Sequence, residues 1–219
     1  MSTTITKSIQ LTTTGTSGAA TLVGATLNIP QYSGGNRLAT HILSKPQSGF
    51  YYGTGQHANL NVATTSNNTF IFSAFTPAYN LTISEILFQV TTLFVGGLLK
   101  AVIYSDNNGV PHTKLFESAT VATDTTGTKT LIGVSFTFTA GTTYWISILS
   151  NNSTSQVRAL PTTSTFVPTP LIANSSSTQF YNSWFISGAN FASPISPLPT
   201  PISGQLNGGA IPYLIFRAV

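Results

Sequence analysis

Residues 130–150, TLIGVSFTFTAGTTYWISILS, contain the pattern that most restricts the fold. From Val134 to Thr139 apolar and polar residues alternate, which is the period of an antiparallel strand with one buried face. Residues 140–143, AGTT, then supply turn-forming residues before a second apolar run at 144–150. We therefore predict two strands that pair with each other as a hairpin.

Strand-like runs of this kind recur along the chain, separated by turn residues. They lie at residues 70–75, 81–90, 98–104 and 212–219. Residues 105–111, SDNNGVP, combine Asp, Asn, Gly and Pro, which each favour a turn. A proline-rich segment cannot be a central strand; its prolines are Pro194, Pro197, Pro199 and Pro201. Many short strands without a capped amphipathic helix predict an all-β fold, a jelly-roll-like antiparallel β-sandwich.

The chain has very few charged residues, 5% of the total, against roughly 25% in typical soluble domains. Its surface must therefore be built largely from Thr, Ser, Asn and Gly. The net charge of +4 comes from eight basic residues spread along the whole chain, so the concentrated positive face of a nucleic-acid-binding protein is not predicted. There is no cysteine, and neither a signal peptide nor a run long enough to span a membrane is recognisable. We expect synthesis in a cytoplasm and no membrane insertion.

Composition divides the chain into three segments. Residues 1–36 are rich in Thr, Gly and Ala, and apolar residues alternate near Leu11 and Leu27. They predict a β-hairpin that must be covered by another surface, because an isolated hairpin is marginally stable in water. Residues 37–62 have no sustained period and are predicted to be an irregular connector. Residues 63–219 carry the strand-like runs and are predicted to form the sandwich.

The sequence offers little for catalysis. A glycoside hydrolase needs two carboxyl groups about 5 to 9.5 Å apart, and the chain has only four acidic residues. Glu85, on a predicted strand, is a candidate acid, but a solvent-facing role is favoured. The histidines are separated, and residues 106–109, DNNG, do not continue into the pattern of a calcium loop. We predict no enzyme activity, no metal site and no cofactor.

An aromatic segment suggests recognition instead. Residues 179–191, QFYNSWFISGANF, combine aromatic rings, which can stack on sugars, with amide groups, which can bind hydroxyls. The candidate ligand-binding residues are Tyr181, Asn182, Trp184, Phe185 and Asn190. The alternative, which is favoured, is that these aromatics lie in the core or in a subunit contact.

Residues 11–35, LTTTGTSGAATLVGATLNIPQYSGG, resemble a segment found near the N-terminus of structural proteins of tailed bacteriophages. YSDNNGVP at 104–111 and FTFTAGTTYWISILS at 136–150 resemble the β-sandwich heads of phage fibres and related non-catalytic carbohydrate-binding modules. The resemblance implies that residues 1–36 are a virion-attachment or trimerisation segment. It also implies that the protein is a homotrimer in the virion that contacts other capsid or tail proteins. The residues expected to mediate assembly or docking are Leu11, Gly15, Gly18, Ala19, Leu22, Leu27, Ile29 and Tyr32.

The sequence therefore predicts a non-enzymatic structural protein of a phage virion, a head fibre, tail fibre or decoration protein. It would dock through its N-terminus and project a β-sandwich that contacts host-surface glycans. A stand-alone carbohydrate-binding module is the alternative, and a polysaccharide depolymerase is a third hypothesis.

Overall fold

The computed structural model of the chain describes residues 10–12, 21–23, 26–28, 45–54, 60–160, 183–198, 205–207 and 211–219. Within these ranges every regular element is a β-strand, so the predicted all-β class is confirmed. No helix in these ranges is long and apolar enough to cross a membrane. The chain divides into two compact units, Met1–Arg37 and Leu38–Val219.

The described residues of the smaller unit form three short strands: β1 (Gln10–Thr12), β2 (Thr21–Val23) and β3 (Thr26–Asn28). β3 is central, because it pairs antiparallel with β2 and parallel with β1. The predicted N-terminal β-hairpin is present, but its two arms are β2 and β3, whereas the apolar runs near Leu11 and Leu27 pair in parallel. Since only two residues separate β2 from β3, the tight hairpin forms between them, and β1 adds to the free edge of β3.

Three residues predicted to mediate assembly fall in one row of this sheet. Leu11 and Leu22 are both register partners of Leu27, on its two sides. Leu27 is half-buried, and the neighbouring Val23 is 76% exposed. The remaining predicted assembly residues lie outside the described ranges: Gly15, Gly18, Ala19, Ile29 and Tyr32.

The described strands of the larger unit are β4 (Tyr51–Gly53), β5 (Asn61–Thr64), β6 (Thr69–Phe75), β7 (Leu81–Thr92), β8 (Leu98–Asn107), β9 (Val110–Glu117), β10 (Val121–Ala122), β11 (Gly127–Leu131), β12 (Phe136–Phe138), β13 (Tyr144–Ser150), β14 (Gln156–Leu160), β15 (Ser183–Ser187), β16 (Gln205–Asn207), β17 (Ile211–Pro212) and β18 (Ile215–Ala218). β4 lies inside the segment 37–62, which was predicted to be irregular. It was missed because three residues are too few to show a period.

These strands form two antiparallel sheets. The seven-stranded sheet has the order β10-β8-β13-β6-β15-β16, with β9 also paired to β8. The eight-stranded sheet has the order β17-β14-β7-β18-β4, with β5 on β14 and both β11 and β12 on β7. The C-terminal strand β18 lies inside this sheet, between β7 and β4.

The predicted hairpin at 130–150 is wrong. The first run is interrupted at Gly133, which has a φ of 71°, and forms β11 and β12, both paired with β7. The second run, β13, pairs with β6 and β8 in the other sheet. Residues 139–143 therefore carry the chain from one sheet to the other. Alternation identifies the buried face of a strand but does not identify its partner.

The core between the sheets is rich in aromatic side chains around Phe138. This ring is fully buried and lies 4.8 Å from the ring of Phe75, 4.8 Å from Phe136, 5.1 Å from Tyr144 and 5.3 Å from Phe216. Since Phe138 belongs to β12 and Tyr144 to β13, the two runs meet face to face across the sandwich.

A second apolar cluster covers the opposite face of the seven-stranded sheet, and we call it the outer cluster. Strands β6 and β13 are buried at every position, because their alternate residues enter the two clusters. The largest members of the outer cluster are Phe70, Phe72, Tyr104 and Trp145. Residues after β15 cover these side chains on the solvent side.

Candidate recognition site

The residues predicted to bind a ligand do not share one face of the protein. Trp184 and Phe185 are neighbours on β15, and consecutive residues of a strand point to opposite faces of the sheet. Trp184 packs against the outer cluster, whereas Phe185 lies half-buried on the other face. Asn190 is exposed in the loop after β15. Tyr181 and Asn182 lie outside the described residues.

We call residues 188–198 the strap, because this segment crosses the outer cluster. Ala189 and Leu198, near its two ends, are buried in that cluster, and Phe191 packs against it. Hydrogen bonds hold the strap to the sheet: Ala189 N donates to Asn68 O (2.7 Å), Phe191 N to Asn68 Oδ1 (2.7 Å), Lys114 N to Ser196 Oγ (2.9 Å) and Leu198 N to His112 O (2.8 Å).

Asn190 shapes the strap. Its φ of 52° is in the left-handed region, where asparagine is among the better tolerated residues. Its Oδ1 accepts hydrogen bonds from the backbone nitrogens of Ala192 (3.2 Å) and Ser193 (3.4 Å). The side-chain oxygen of this predicted ligand residue is thus used within the loop.

An ionic cluster lies beside the strap. Lys100 Nζ is 2.5 Å from Glu117 Oε1, and Lys114 Nζ is 2.7 Å from Glu117 Oε2. The Lys100 side chain is only 5% exposed, and its Nζ lies 4.7 Å from the centre of the Phe191 ring, which adds a cation–π contact. Lys114 Nζ also donates to Pro194 O at 3.3 Å. The cluster therefore joins β8 and β9 to the strap.

The chemistry of this cluster suits structure more than proton transfer. Burial by itself would raise the pKa of Glu117, but hydrogen bonds and charge from Lys100 and Lys114 outweigh it and hold the pKa below its ordinary 4.5. A general acid working near neutral pH needs the opposite shift. Glu117 is thus an ionised partner for two ammonium groups.

This ionic cluster was not predicted from the sequence, although one signal for it was present. Lys100 interrupts the apolar run LFVGGLLKAVIY at residues 93–104. A lysine inside a strand that is buried on both faces requires a partner, because an unpaired buried charge is very costly. That signal predicts a carboxylate nearby, and Glu117 supplies it.

Tyr104 also fixes the strap, since its hydroxyl donates to Ile195 O at 2.5 Å. Burial, and secondarily the charge of Glu117, raise the pKa of this phenol well above its ordinary 10.0. In the unfolded chain the phenol ionises near its ordinary pKa. The stability that Tyr104 contributes is therefore present below about pH 10 and lost as the pH rises above it.

We expect Tyr104→Phe to weaken the alkaline loss of stability. The midpoint of thermal unfolding should fall between about pH 9 and pH 11 in the wild type, and fall less in the variant. Tyr79→Phe, at a position that is 43% exposed, is the control and should follow the wild type. Equal slopes for wild type and Tyr104→Phe would contradict the assignment.

The other acidic residues are mostly engaged in structural contacts. Glu85, the candidate acid of the sequence analysis, accepts from Arg217 Nη1 at 2.6 Å. Asp106 Oδ1 accepts from Trp145 Nε1 at 2.9 Å and from Gly109 N at 3.1 Å, which ties the β8–β9 turn to the outer cluster. Asp124 is exposed.

The described histidine, His112, is 2.9 Å from Thr113 Oγ1 through its Nδ1. His41 and His57 lie outside the described residues. Among the described side chains, no group of three or more His, Cys, Asp or Glu is placed to hold a metal ion.

Comparison with known proteins gives distant structural likenesses. No protein-family model and no curated protein matches the sequence. Among solved structures, a clostridial cysteine protease, Cwp84, after propeptide cleavage has a TM-score of 0.44 and 13% identity, covering 80% of this chain and 42% of that one. The cysteine protease and lectin-like domains of Cwp84, a surface-layer-associated protein of Clostridium difficile, have a TM-score of 0.40 and 9% identity, covering 75% and 37%.

This chain therefore spans about two fifths of the length of those solved chains. At such distance the likeness carries no argument about function.

Proposed function

We propose that the chain is a non-enzymatic structural protein of a phage virion. In this proposal the unit Met1–Arg37 assembles as a trimer and docks on the capsid or tail, and the sandwich projects outward to contact host-surface glycans. The proposal is supported by the resemblance of residues 11–35 to N-terminal segments of tailed-phage structural proteins. It is also supported by the presence of a separate small unit ahead of the sandwich.

The observation that carries the proposal is an exposed apolar side chain in the small unit, since Val23, next to the leucine row, is 76% exposed. The described strands of this unit have three residues each. Chains below about 40 residues usually need disulfides, metals or oligomerisation to be stable. The unit has no cysteine, and a second and third copy would supply the missing burial.

The sandwich is proposed to bind and not to catalyse. Glu85, Asp106 and Glu117 each hold an ion pair or hydrogen bonds that fix strands or loops. A surface rich in Thr, Ser and Asn can hydrogen-bond sugar hydroxyls, and a ligand that covers it does not bury unpaired charges. These features support adhesion as the role of the larger unit.

Native mass by light scattering tests the assembly. We expect the full-length protein to have three times the chain mass of 23.1 kDa, and a chain that begins at Asn36 to be monomeric. Val23→Glu should also dissociate the trimer, since it would bury three carboxylates in one contact. Phe50→Glu, at a 59% exposed position of the sandwich, is the matched control. A monomer at full length would overturn the assembly proposal.

A stand-alone carbohydrate-binding module is the second candidate. It is favoured by Tyr51, an aromatic residue of the eight-stranded sheet whose side chain is 55% exposed. A full-length monomer that binds a saccharide would support this candidate over the virion protein.

A further inference from the structure

The eight-stranded sheet has an open face that turns away from the core. Phe216 on β18 is fully buried in the core, and so is its register partner Ile86. The neighbours of Phe216 in the strand, Ile215 and Arg217, therefore point to the other side of the sheet. Their side chains are half-buried, so this side is accessible to solvent.

Register partners place side chains on the open face in rows. One row contains Tyr51, Arg217 and Glu85, and the next contains Gly53, Ile215 and Leu87. Farther along β7, Gln89 Oε1 accepts a hydrogen bond from Arg158 Nε on β14 at 3.1 Å. The rows at Glu85 and Gln89 are four residues apart, about 13 Å along the strand. The face is thus long enough for several sugar rings.

Two tyrosines border the apolar centre of the open face. Tyr51 is 55% exposed. The hydroxyl end of Tyr213 lies directly over Gly53: a Cβ at position 53 would collide with this hydroxyl oxygen and would lie 2.8 Å from Cζ. Glycine is therefore required for the ring of Tyr213 to occupy this position beside Ile215.

The two arginines of the open face differ in their partners. Arg217 is held by Glu85 at 2.6 Å. Arg158 is half-buried and donates to the neutral amide of Gln89, and among the described residues no carboxylate pairs with it. One guanidinium group is thus available for an external anion, and guanidinium binds carboxylate with well-oriented hydrogen bonds.

We propose that the open face binds an acidic saccharide, a glycan chain in which single carboxylate groups are separated by neutral sugars. The proposal rests on the proposed role of the sandwich in contacting surface glycans, and it names the site and the ligand class. Tyr51 and Tyr213 stack against the C–H faces of sugar rings, Arg158 binds a sugar carboxylate, and Glu85 and Gln89 accept hydrogen bonds from hydroxyls.

The same face is poorly matched to a nucleic acid. Arg217 is already neutralised by Glu85, so only one uncompensated positive charge faces a backbone that carries a charge at every nucleotide. The carboxylate of Glu85 repels phosphate, whereas it accepts hydrogen bonds from sugar hydroxyls.

Isothermal titration calorimetry on the full-length protein tests the site. The acidic probes are 3′-sialyllactose and 6′-sialyllactose, which carry one carboxylate each, and the comparison probes are neutral maltohexaose and single-stranded oligo-dT. We expect an acidic probe to bind more tightly than maltohexaose, and its affinity to fall with added salt. Arg158→Gln and Tyr51→Ala should each lower that affinity by about tenfold or more. Gly53→Ala should weaken binding by displacing Tyr213.

Matched controls separate the site from general effects. Lys129→Gln removes a positive charge from the other side of the sheet, because Lys129 is the register partner of Phe88, which points to the core. Tyr79→Ala removes an exposed tyrosine outside the strands. Both should bind as the wild type does. The unfolding midpoint of every variant establishes that it is folded.

Several outcomes would overturn the proposal. These are no binding of either acidic probe, binding of oligo-dT in their place, or binding that survives Arg158→Gln and Tyr51→Ala but is lost in Trp184→Ala. A trimer that binds no saccharide would overturn this site and leave the virion assembly standing. A monomer that binds an acidic probe through Arg158 would support this site and overturn the virion assembly.

Discussion

Replacing Phe138 by alanine is expected to lower the free energy of unfolding by about 4 kcal/mol. The side chain is fully buried, and its removal would leave a cavity at the centre of the aromatic core. Its neighbours belong to both sheets and cannot all move inward without breaking strand pairing. The rings that would lose a contact are those of Phe75, Phe136, Tyr144 and Phe216.

Urea unfolding followed by tryptophan fluorescence measures this change. Phe50→Ala provides the control, because the same side chain is removed from a position that is 59% exposed. The control should change the free energy of unfolding by no more than about 0.5 kcal/mol. A loss below about 1 kcal/mol for Phe138→Ala would mean that the core between the sheets is not packed around this ring.

The positions of most strands could be predicted from the sequence, but their partners could not. The alternation at 134–139 correctly placed Phe136 and Phe138 on the same, core-facing side of a strand. It could not show that β12 belongs to one sheet and β13 to the other, because a hairpin and a sheet-to-sheet connection need similar turn residues. The same limit applies to the smaller unit, where the pattern showed two apolar runs and β2 lies between them.

The outer cluster could not be predicted from the sequence for a related reason. A strand that buries both faces appears as a continuous apolar run and gives no information on which residues face which cluster. β8 is such a strand. The lysine at position 100 within its apolar run was the sequence signal that a charged group is buried there. The strap itself lacks regular structure, so no periodicity could predict it.

The candidate ligand residues show that composition alone does not predict which residues share a face of the sheet. Trp184 and Phe185 are adjacent in sequence, and adjacency in a strand separates them to opposite faces. On the open face the reverse holds: Tyr51 and Arg158 are far apart in the chain, but the pairing of their strands with β18 and β7 places them on the same side of one sheet. A backbone hydrogen bond from Tyr213 N to Arg158 O brings Tyr213 beside Arg158. Such a site requires the pairing of strands before it can be recognised.

Glu117→Gln is expected to lower the free energy of unfolding at neutral pH by about 2 to 3 kcal/mol. Breaking a fully buried ion pair costs about 3 to 5 kcal/mol, and the 28% exposure of Glu117 reduces this. The cost arises because Lys100, only 5% exposed, would keep its charge beside a neutral amide. Lys114→Gln, which removes the more exposed ammonium group, should cost no more than about 1 kcal/mol.

The pH dependence distinguishes this charge effect from a loss of packing. The folded protein holds the pKa of Glu117 below 4.5, the ordinary value that applies to the unfolded chain. The stability it contributes is therefore present above about pH 4.5 and lost as the pH falls through the lowered pKa. Urea unfolding between about pH 7 and pH 3 should show a smaller loss for Glu117→Gln than for the wild type. The difference between the two proteins should thus shrink toward low pH, whereas a difference that stays constant would mean that the substitution acts through packing alone.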